Sequence, residues 1–133
     1  MPVPDQPRQR ATDRERIDVL LVHAPRMRRG ANQIMVLPAG LFALADVLDR
    51  AGISCRILHL GLRREADPRF SLAEYARTCG ARLVGFTLHW FYQTYDVLRA
   101  IHDLRSERPD LPVVVGGLTA SRFFDELIAR RSI

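Results

Sequence analysis

The sequence contains no lysine, and all 20 of its basic residues are arginine. A P-loop needs a lysine to reach the phosphates of a nucleotide, so this class of site is excluded. The net charge of +5 would suit a nucleic-acid partner, but the arginines are spread over the whole chain and no recognised binding motif accompanies them. We therefore attribute the arginine content to a coding bias, as in a GC-rich genome, and expect no nucleic-acid binding.

Cysteine and long hydrophobic runs are also scarce. Cys55 and Cys79 form no CxxC pair, which argues against a zinc or redox site and favours two reduced, buried thiols. No apolar run approaches the ~18 residues that span a bilayer, and residues 1–16 lack the apolar segment of a secretory signal. We expect a cytoplasmic protein without a membrane-spanning segment. Residues 1–16 are predicted to be a disordered leader, and residues 17–133 a single domain.

Short apolar runs alternate with helical patterns along the chain. The predicted strands are 17–23, 53–60, 82–88 and 111–115. The predicted helices are 38–51, 71–79, a long helix that ends before Pro109, and a last helix through Arg130. Strict alternation predicts an α/β fold, a flavodoxin-like (Rossmann-like) doubly wound parallel sheet of order 2-1-3-4. A fifth strand is missing from this pattern, so we expect the domain to be truncated at its carboxyl end.

Apolar spacing and capping residues predict how the helices pack. The expected core stripes are Leu41, Leu44, Ala45 and Leu48 in the first helix, and Phe91, Tyr95, Leu98 and Ile101 in the long helix. Ser71 and Glu74 form a capping box after a charged loop. Thr119 or Ser121 is expected to cap the last helix.

A ligand of such a sheet lies beyond the carboxyl ends of the strands, at the switch point between the first and third. Residues 23–37, 87–90 and 116–121 converge there. The first of these loops contains only one glycine, Gly30, so a dinucleotide fingerprint is excluded. Residues 24–31 lack the Ser/Thr-rich phosphate loop of a flavodoxin. The acidic residues of a phospho-acceptor receiver domain are also missing, since the first strand ends at His23 and the third at Thr87.

Three segments at these loops occur in a specific order. The first helix begins Leu37-Pro38-Ala39-Gly40-Leu41, the third strand ends Phe86-Thr87-Leu88, and the fourth strand continues Val115-Gly116-Gly117-Leu118-Thr119-Ala120-Ser121. Over residues 17–130 the chain resembles a cobalamin (B12)-binding domain, of the type found at the amino terminus of B12-dependent radical S-adenosylmethionine enzymes. In that group P-x-G-L opens the first helix and a V-G-G turn follows the fourth strand.

The resemblance implies a set of cofactor-binding residues, namely Pro38, Gly40, Thr87, Leu88, His89, Gly116, Gly117, Thr119 and Ser121. The two glycines would let the backbone lie against a large planar ligand. The hydroxyl groups could donate to amide or phosphate oxygens. The alternative is that these residues only form a tight turn and cap helices. We expect a bulky residue at Gly117 to abolish corrinoid binding in the first case and to alter only stability in the second.

The histidines depart from the pattern of better-known relatives. Methionine synthase and the carbon-skeleton mutases carry Asp-x-His-x-x-Gly after the first strand, and its histidine ligates cobalt. Residues 24–30 contain no such motif. Resemblance to the radical enzymes implies a corrinoid bound with its lower base displaced and with no protein metal ligand. His23 and His89 lie near the expected pocket and His59 beside it, whereas His102 is expected on a helix surface; histidines at strand ends are usually packed or solvated.

Two further clusters face the expected pocket. Arg26, Arg28 and Arg29 in the first loop could pair with a phosphate or with amide carbonyls, or could be solvated. Trp90, Phe91 and Tyr92 follow the third strand, where aromatic rings could stack on a ring ligand. Phe91 also belongs to the expected core stripe.

The leading hypothesis is the cobalamin-binding domain of a B12-dependent, methyltransferase-like radical S-adenosylmethionine enzyme. This domain would catalyse nothing alone, and a 4Fe-4S cluster and S-adenosylmethionine would belong to a downstream radical domain. The alternative is a non-catalytic, flavodoxin-like interaction domain that has lost the cofactor. A small enzyme with His23 or His89 as general base is disfavoured, because no nucleophile or carboxylate lies nearby in sequence.

Overall fold

The computed structural model describes residues 16–25 and 36–129. Its strands are β1 (Val19–His23), β2 (Cys55–His59), β3 (Leu83–Thr87) and β4 (Val113–Gly116). They are parallel and hydrogen-bonded in the order β2-β1-β3-β4, which confirms the predicted sheet. The predicted leader up to residue 15 and the arginines of the first loop lie outside the described residues.

The helices are α1 (Ala39–Arg50), α2 (Leu60–Ala66), α3 (Leu72–Thr78), α4 (Thr94–Glu107), α5 (Leu118–Arg122) and α6 (Phe124–Ala129), with a short 3-10 turn at Phe91–Gln93. Of these described helices, none has the length and apolar character needed to cross a membrane. Ser71 caps α3 through the Glu74 N–H, as expected. Gly80 follows α3 with φ of +68°, a conformation that suits glycine.

The main core lies between the sheet and the helices α3 and α4. Successive strand residues point to opposite faces, so Leu20 and Phe86 pack with Ala76 and Ile101 of the helices. Leu21 lies on the opposite face, where its Cδ2 atom would be 3.1 Å from a Cβ added at Gly85. Cys79 is buried, as predicted, whereas Cys55 is only half-buried.

The predicted core stripe of the long helix is confirmed for Ile101, which is buried, and for Leu98, which packs against the core, but it is wrong for Phe91 and Tyr95. Phe91 and Tyr95 are 74% and 70% exposed, and the buried face of α4 consists of Val97, Ala100, Ile101 and Leu104. These four residues have the spacing i, i+3, i+4, i+7 of a helical face. The 3-10 turn separates Phe91 from α4, so its side chain does not continue the helical periodicity.

Three other local predictions also need correction. The expected charged loop after β2 is helix α2, because Leu, Arg, Glu and Ala favour a helix and His59 caps it. Leu44 of the α1 stripe is 52% exposed, although Leu41 is buried and Ala45 and Leu48 are half-buried. The single last helix is split at Phe123 into α5 and α6, and neither Thr119 nor Ser121 caps it, since α5 begins after Gly117 without a side-chain cap.

Candidate functional site

The last residues of the four strands form one row across the carboxyl edge of the sheet. His59 pairs with His23, His23 with Thr87, and Thr87 with Gly116. Residues paired in this way on parallel strands point to the same face. The end row, as we call these four residues, therefore places two imidazoles, a hydroxyl and a bare backbone position side by side. This edge is where the sequence places the ligand.

His23 and His59 are buried together within the end row. They are 1% and 8% exposed, and their ring centroids lie 5.0 Å apart with the planes at 74°. The Nδ1 atom of His59 accepts a hydrogen bond of 3.2 Å from the Leu62 N–H at the start of α2. Among the described residues, the Nδ1 of His23 and the Nε2 of His59 have no hydrogen-bond partner. Sequence reasoning missed this pairing, because it depends on the register of β1 and β2.

Both imidazoles are neutral at physiological pH. Burial, with a smaller contribution from the neighbouring His59, lowers the pKa of His23 from 6.5 to about 4. Burial also lowers the pKa of His59. A neutral imidazole has one N–H donor and one acceptor nitrogen. The pair therefore offers hydrogen bonds to a ligand without adding charge to the site.

The His23 shift predicts that stability falls as the solution becomes mildly acidic. The unfolded chain protonates His23 near pH 6.5, whereas the folded chain does so only near pH 4. The unfolded state thus binds more protons in this window, so the stability present above pH 6.5 is lost as the pH falls towards 4. Urea unfolding between about pH 7.5 and pH 5 should show a loss of about 2 kcal/mol. His23→Leu should flatten this dependence and His102→Asn should retain it; an equal slope in both variants would contradict the assignment.

The two glycines after β4 have different structural roles. Gly117 has φ of +113°, and a Cβ there would lie 2.6 Å from the Leu88 carbonyl oxygen. Its missing side chain is therefore needed for the contact between the two loops. Gly116 has open space where its Cβ would point, with no atom of the described residues within 4 Å. Gly116 is the position at which a ligand can approach the backbone of the end row.

Thr119 joins the loop after β4 to the loop after β3. Its Oγ1 donates a hydrogen bond of 2.9 Å to the carbonyl of His89. The Leu88 N–H donates to the Gly116 carbonyl at 2.7 Å, and the Leu88 side chain is fully buried in the core. Leu88, His89, Gly117 and Thr119 thus build the loops of the site mainly through backbone contacts.

The remaining site residues lie around this framework. Ser121 is exposed on α5. His89 is half-buried, and the His89 ring packs edge-on against the Trp90 ring, with 4.9 Å between the centroids. Pro38 is buried before α1, and Gly40 is exposed with open space around its Cβ position. Because α1 follows β1, both lie towards the same edge of the sheet. His102 is exposed on α4, as expected.

Gln93 braces two of the loops, a role that sequence reasoning missed. Its side chain is 1% exposed; the Nε2 donates to the Ala24 carbonyl at 3.0 Å, and the Oε1 accepts from the Trp90 N–H at 3.2 Å. The Gln93 amide therefore links the end of β1 to the segment after β3. The only sequence signal is a glutamine among aromatic residues, which does not reveal a buried partner on β1.

We expect Gln93→Leu to destabilise the domain by about 2 kcal/mol, because it leaves a buried carbonyl and an N–H without partners. Urea unfolding followed by circular dichroism measures this change. Tyr95→Leu, at an exposed position on the next turn, is the control and should cost less than about 0.5 kcal/mol. Equal stability of the two variants would show that the brace contributes nothing.

The aromatic residues after β3 form a layered group. The rings of Trp90 and Tyr92 are nearly parallel, at 5° and a centroid separation of 6.0 Å. Trp90 also contacts His23 edge-on at 6.4 Å, so the aromatic group continues from the end row. Within residues 16–25 and 36–129, no three His, Cys, Asp or Glu side chains cluster closely enough to hold a metal ion.

The parallel sheet of order β2-β1-β3-β4, with its helices, is an α/β fold of the flavodoxin-like class. The family model described as B12 binding domain matches residues 34–131, which is well over half of the chain. The chain therefore belongs to the B12-binding domain family, and this membership supports cobalamin as its ligand. Neither the search of curated proteins nor that of solved structures gives a match.

The described residues fit such a cofactor. The open Cβ position of Gly116 leaves room beside the sheet edge, and among the described residues the buried Nδ1 of His23 and Nε2 of His59 have no hydrogen-bond partner. The family match begins at residue 34, after β1 and after residues 24–30.

Proposed function

We propose that this chain is the cobalamin-binding domain of a B12-dependent, methyltransferase-like radical S-adenosylmethionine enzyme, with the corrinoid lying over the end row. This location is proposed because the Cβ position of Gly116 is open and because Gly116 pairs with Thr87 on the neighbouring strand. When bound, the corrinoid supplies a cobalt centre able to carry a methyl group. The residues of this chain bind and orient it; none of them is proposed as a catalytic residue.

The predicted contact set is proposed in two groups. Thr87, Gly116 and Ser121, with Pro38 and Gly40 at the start of α1, are proposed to contact the cofactor directly. Leu88, His89, Gly117 and Thr119 are proposed to shape the loops that surround it, since their contacts join the segment after β3 to the segment after β4.

We further propose that no histidine of this chain ligates the cobalt. The absence of Asp-x-His-x-x-Gly after β1 supports this mode, and so does the burial of both end-row imidazoles. Electron paramagnetic resonance of the complex, reduced to Co(II), tests it. The cobalt lines should lack the splitting that an axial nitrogen causes. A three-line nitrogen splitting that persists with cobinamide, which has no lower base, would identify a protein ligand and contradict this mode.

The association with a radical domain rests on the ordered segments at 37–41, 86–88 and 115–121. In this proposal the 4Fe-4S cluster and S-adenosylmethionine bind to that domain. Sequencing the coding region downstream of Ile133 tests it directly: a CxxxCxxC motif followed by a second α/β pattern is expected. A stop codon, or an unrelated domain, would remove the radical enzyme and leave the corrinoid domain as the proposal.

One observation favours the alternative of an interaction domain that has lost the cofactor. β4 is an edge strand, and Val114 at its centre is 53% exposed. An exposed apolar edge can pair with another chain. In that case the wild-type chain would not retain a corrinoid, and variants of the end row would leave partner binding unchanged.

A further inference from the structure

Two ring nitrogens of the end row, the Nδ1 of His23 and the Nε2 of His59, have no hydrogen-bond partner among the described residues. They lie at the ends of β1 and β2, outside the three segments that carry the family resemblance. We propose that His59, together with His23, forms a hydrogen-bonding subsite on the β2 side of the pocket that takes an acceptor oxygen of the corrinoid. This inference rests on the proposed function, since it requires the corrinoid to lie over the end row. It assigns a binding role to the end of β2, which none of the matched loop segments includes.

The structure fixes which atom of His59 can donate. Its Nδ1 accepts from the Leu62 N–H, so the proton of the neutral ring is on Nε2. This Nε2–H is buried and has no partner among the described residues. Buried donors in native proteins are nearly always paired, and in this proposal the corrinoid supplies the partner.

The position of the pair matches that of the proposed ligand. His23 is the direct register neighbour of both His59 and Thr87, and Thr87 that of Gly116. A ligand that lies against Gly116 and Thr87 is therefore on the same face and at the same edge as the imidazoles. The Nδ1 of His23 provides a second ring nitrogen next to the His59 donor.

The chemistry of the pair favours an oxygen acceptor over a metal ion. One nitrogen of His59 is already engaged as the cap of α2, and no group of three ligating side chains forms among the described residues. A neutral N–H donor suits an amide carbonyl as well as a phosphate oxygen. A corrinoid offers both, since amides surround the corrin ring and a phosphate joins its nucleotide tail.

His59→Asn isolates the donor. The asparagine oxygen can still accept from the Leu62 N–H, because asparagine is a good cap residue, but the distal nitrogen is removed. Titration of the full 133-residue chain with hydroxocobalamin, followed by visible difference spectra, should show binding about tenfold weaker than in the wild type. His102→Asn, the same change on the exposed face of α4, should bind as the wild type does.

Cobinamide, which lacks the nucleotide tail and its phosphate, separates the two sources of oxygen. If a ring amide is the acceptor, His59→Asn should weaken cobinamide binding about tenfold as well. If the phosphate is the acceptor, the variant and the wild type should bind cobinamide equally. Equal affinity of the variant and the wild type for hydroxocobalamin would overturn the subsite alone. No binding by the wild type would overturn the proposed function with it.

Nitrogen-15 NMR of the wild-type chain tests the subsite independently if His59→Asn folds poorly. His59 should show the Nε2–H tautomer in the free chain, and this resonance should shift when diamagnetic hydroxocobalamin is added. A His59 resonance that stays unchanged at saturation with corrinoid would contradict the subsite.

Discussion

Replacing Gly117 with alanine should destabilise the domain by about 3 kcal/mol or more. Gly117 combines φ of +113° with ψ of 170°, a region that only glycine adopts readily. An added Cβ would also lie 2.6 Å from the Leu88 carbonyl oxygen and 3.0 Å from the His89 nitrogen. Both neighbours are backbone atoms of the β3 loop, so the contact cannot be relieved by a side-chain rotation. Urea unfolding followed by circular dichroism measures the loss.

Gly116→Ala is the matched control, because it makes the same change one residue earlier. Within the part of the chain that the structure describes, no atom lies within 4 Å of the Cβ position of Gly116, so the free energy of unfolding should change by less than about 0.5 kcal/mol. Equal losses in the two variants would show that the loops do not approach each other as described. The structure thus corrects our expectation for Gly117, since a substitution there would disturb the fold whether or not a corrinoid binds.

The second large effect is expected at Gly116. Gly116→Leu should weaken corrinoid binding by about 100-fold or more, because the side chain would fill the space that the ligand needs beside the end row. Its free energy of unfolding should remain within about 1 kcal/mol of the wild type, since a Cβ at this position has no described neighbour within 4 Å. Equilibrium dialysis against hydroxocobalamin, with unfolding measured on the same samples, gives both quantities.

Val114→Leu serves as the control for this experiment. Val114 is exposed on the same strand and face, two residues before the end row. It should bind corrinoid as the wild type does. If Gly116→Leu also binds at wild-type affinity, the ligand does not lie over Gly116, and the location of the site is wrong.

The sheet could be predicted from the sequence because alternation and right-handed crossovers leave few arrangements. The buried face of α4 could not be predicted in the same way, since the 3-10 turn at Phe91–Gln93 places Phe91 outside the helical periodicity. Helix α2 was missed because Gly61 and its charged neighbours are typical of a loop. Its capping residue, His59, is also unusual in that position.

The candidate site was predictable only where a motif is local. Thr87, Gly116 and Thr119 were found from their order after β3 and β4, and the structure joins these loops by hydrogen bonds. The His23–His59 pair depends on the register between β1 and β2, which no local pattern encodes. The Gln93 brace likewise depends on a contact with Ala24, 69 residues away in sequence.

Retention of hydroxocobalamin tests the central claim most directly. The full chain is mixed with excess hydroxocobalamin and passed over a desalting column, and the protein peak is examined by its visible spectrum and by circular dichroism. We predict that the folded wild-type chain carries the corrinoid with it, near one molecule per chain, and that Gly116→Leu loses it. Complete separation of the corrinoid from a folded wild-type chain would contradict the account.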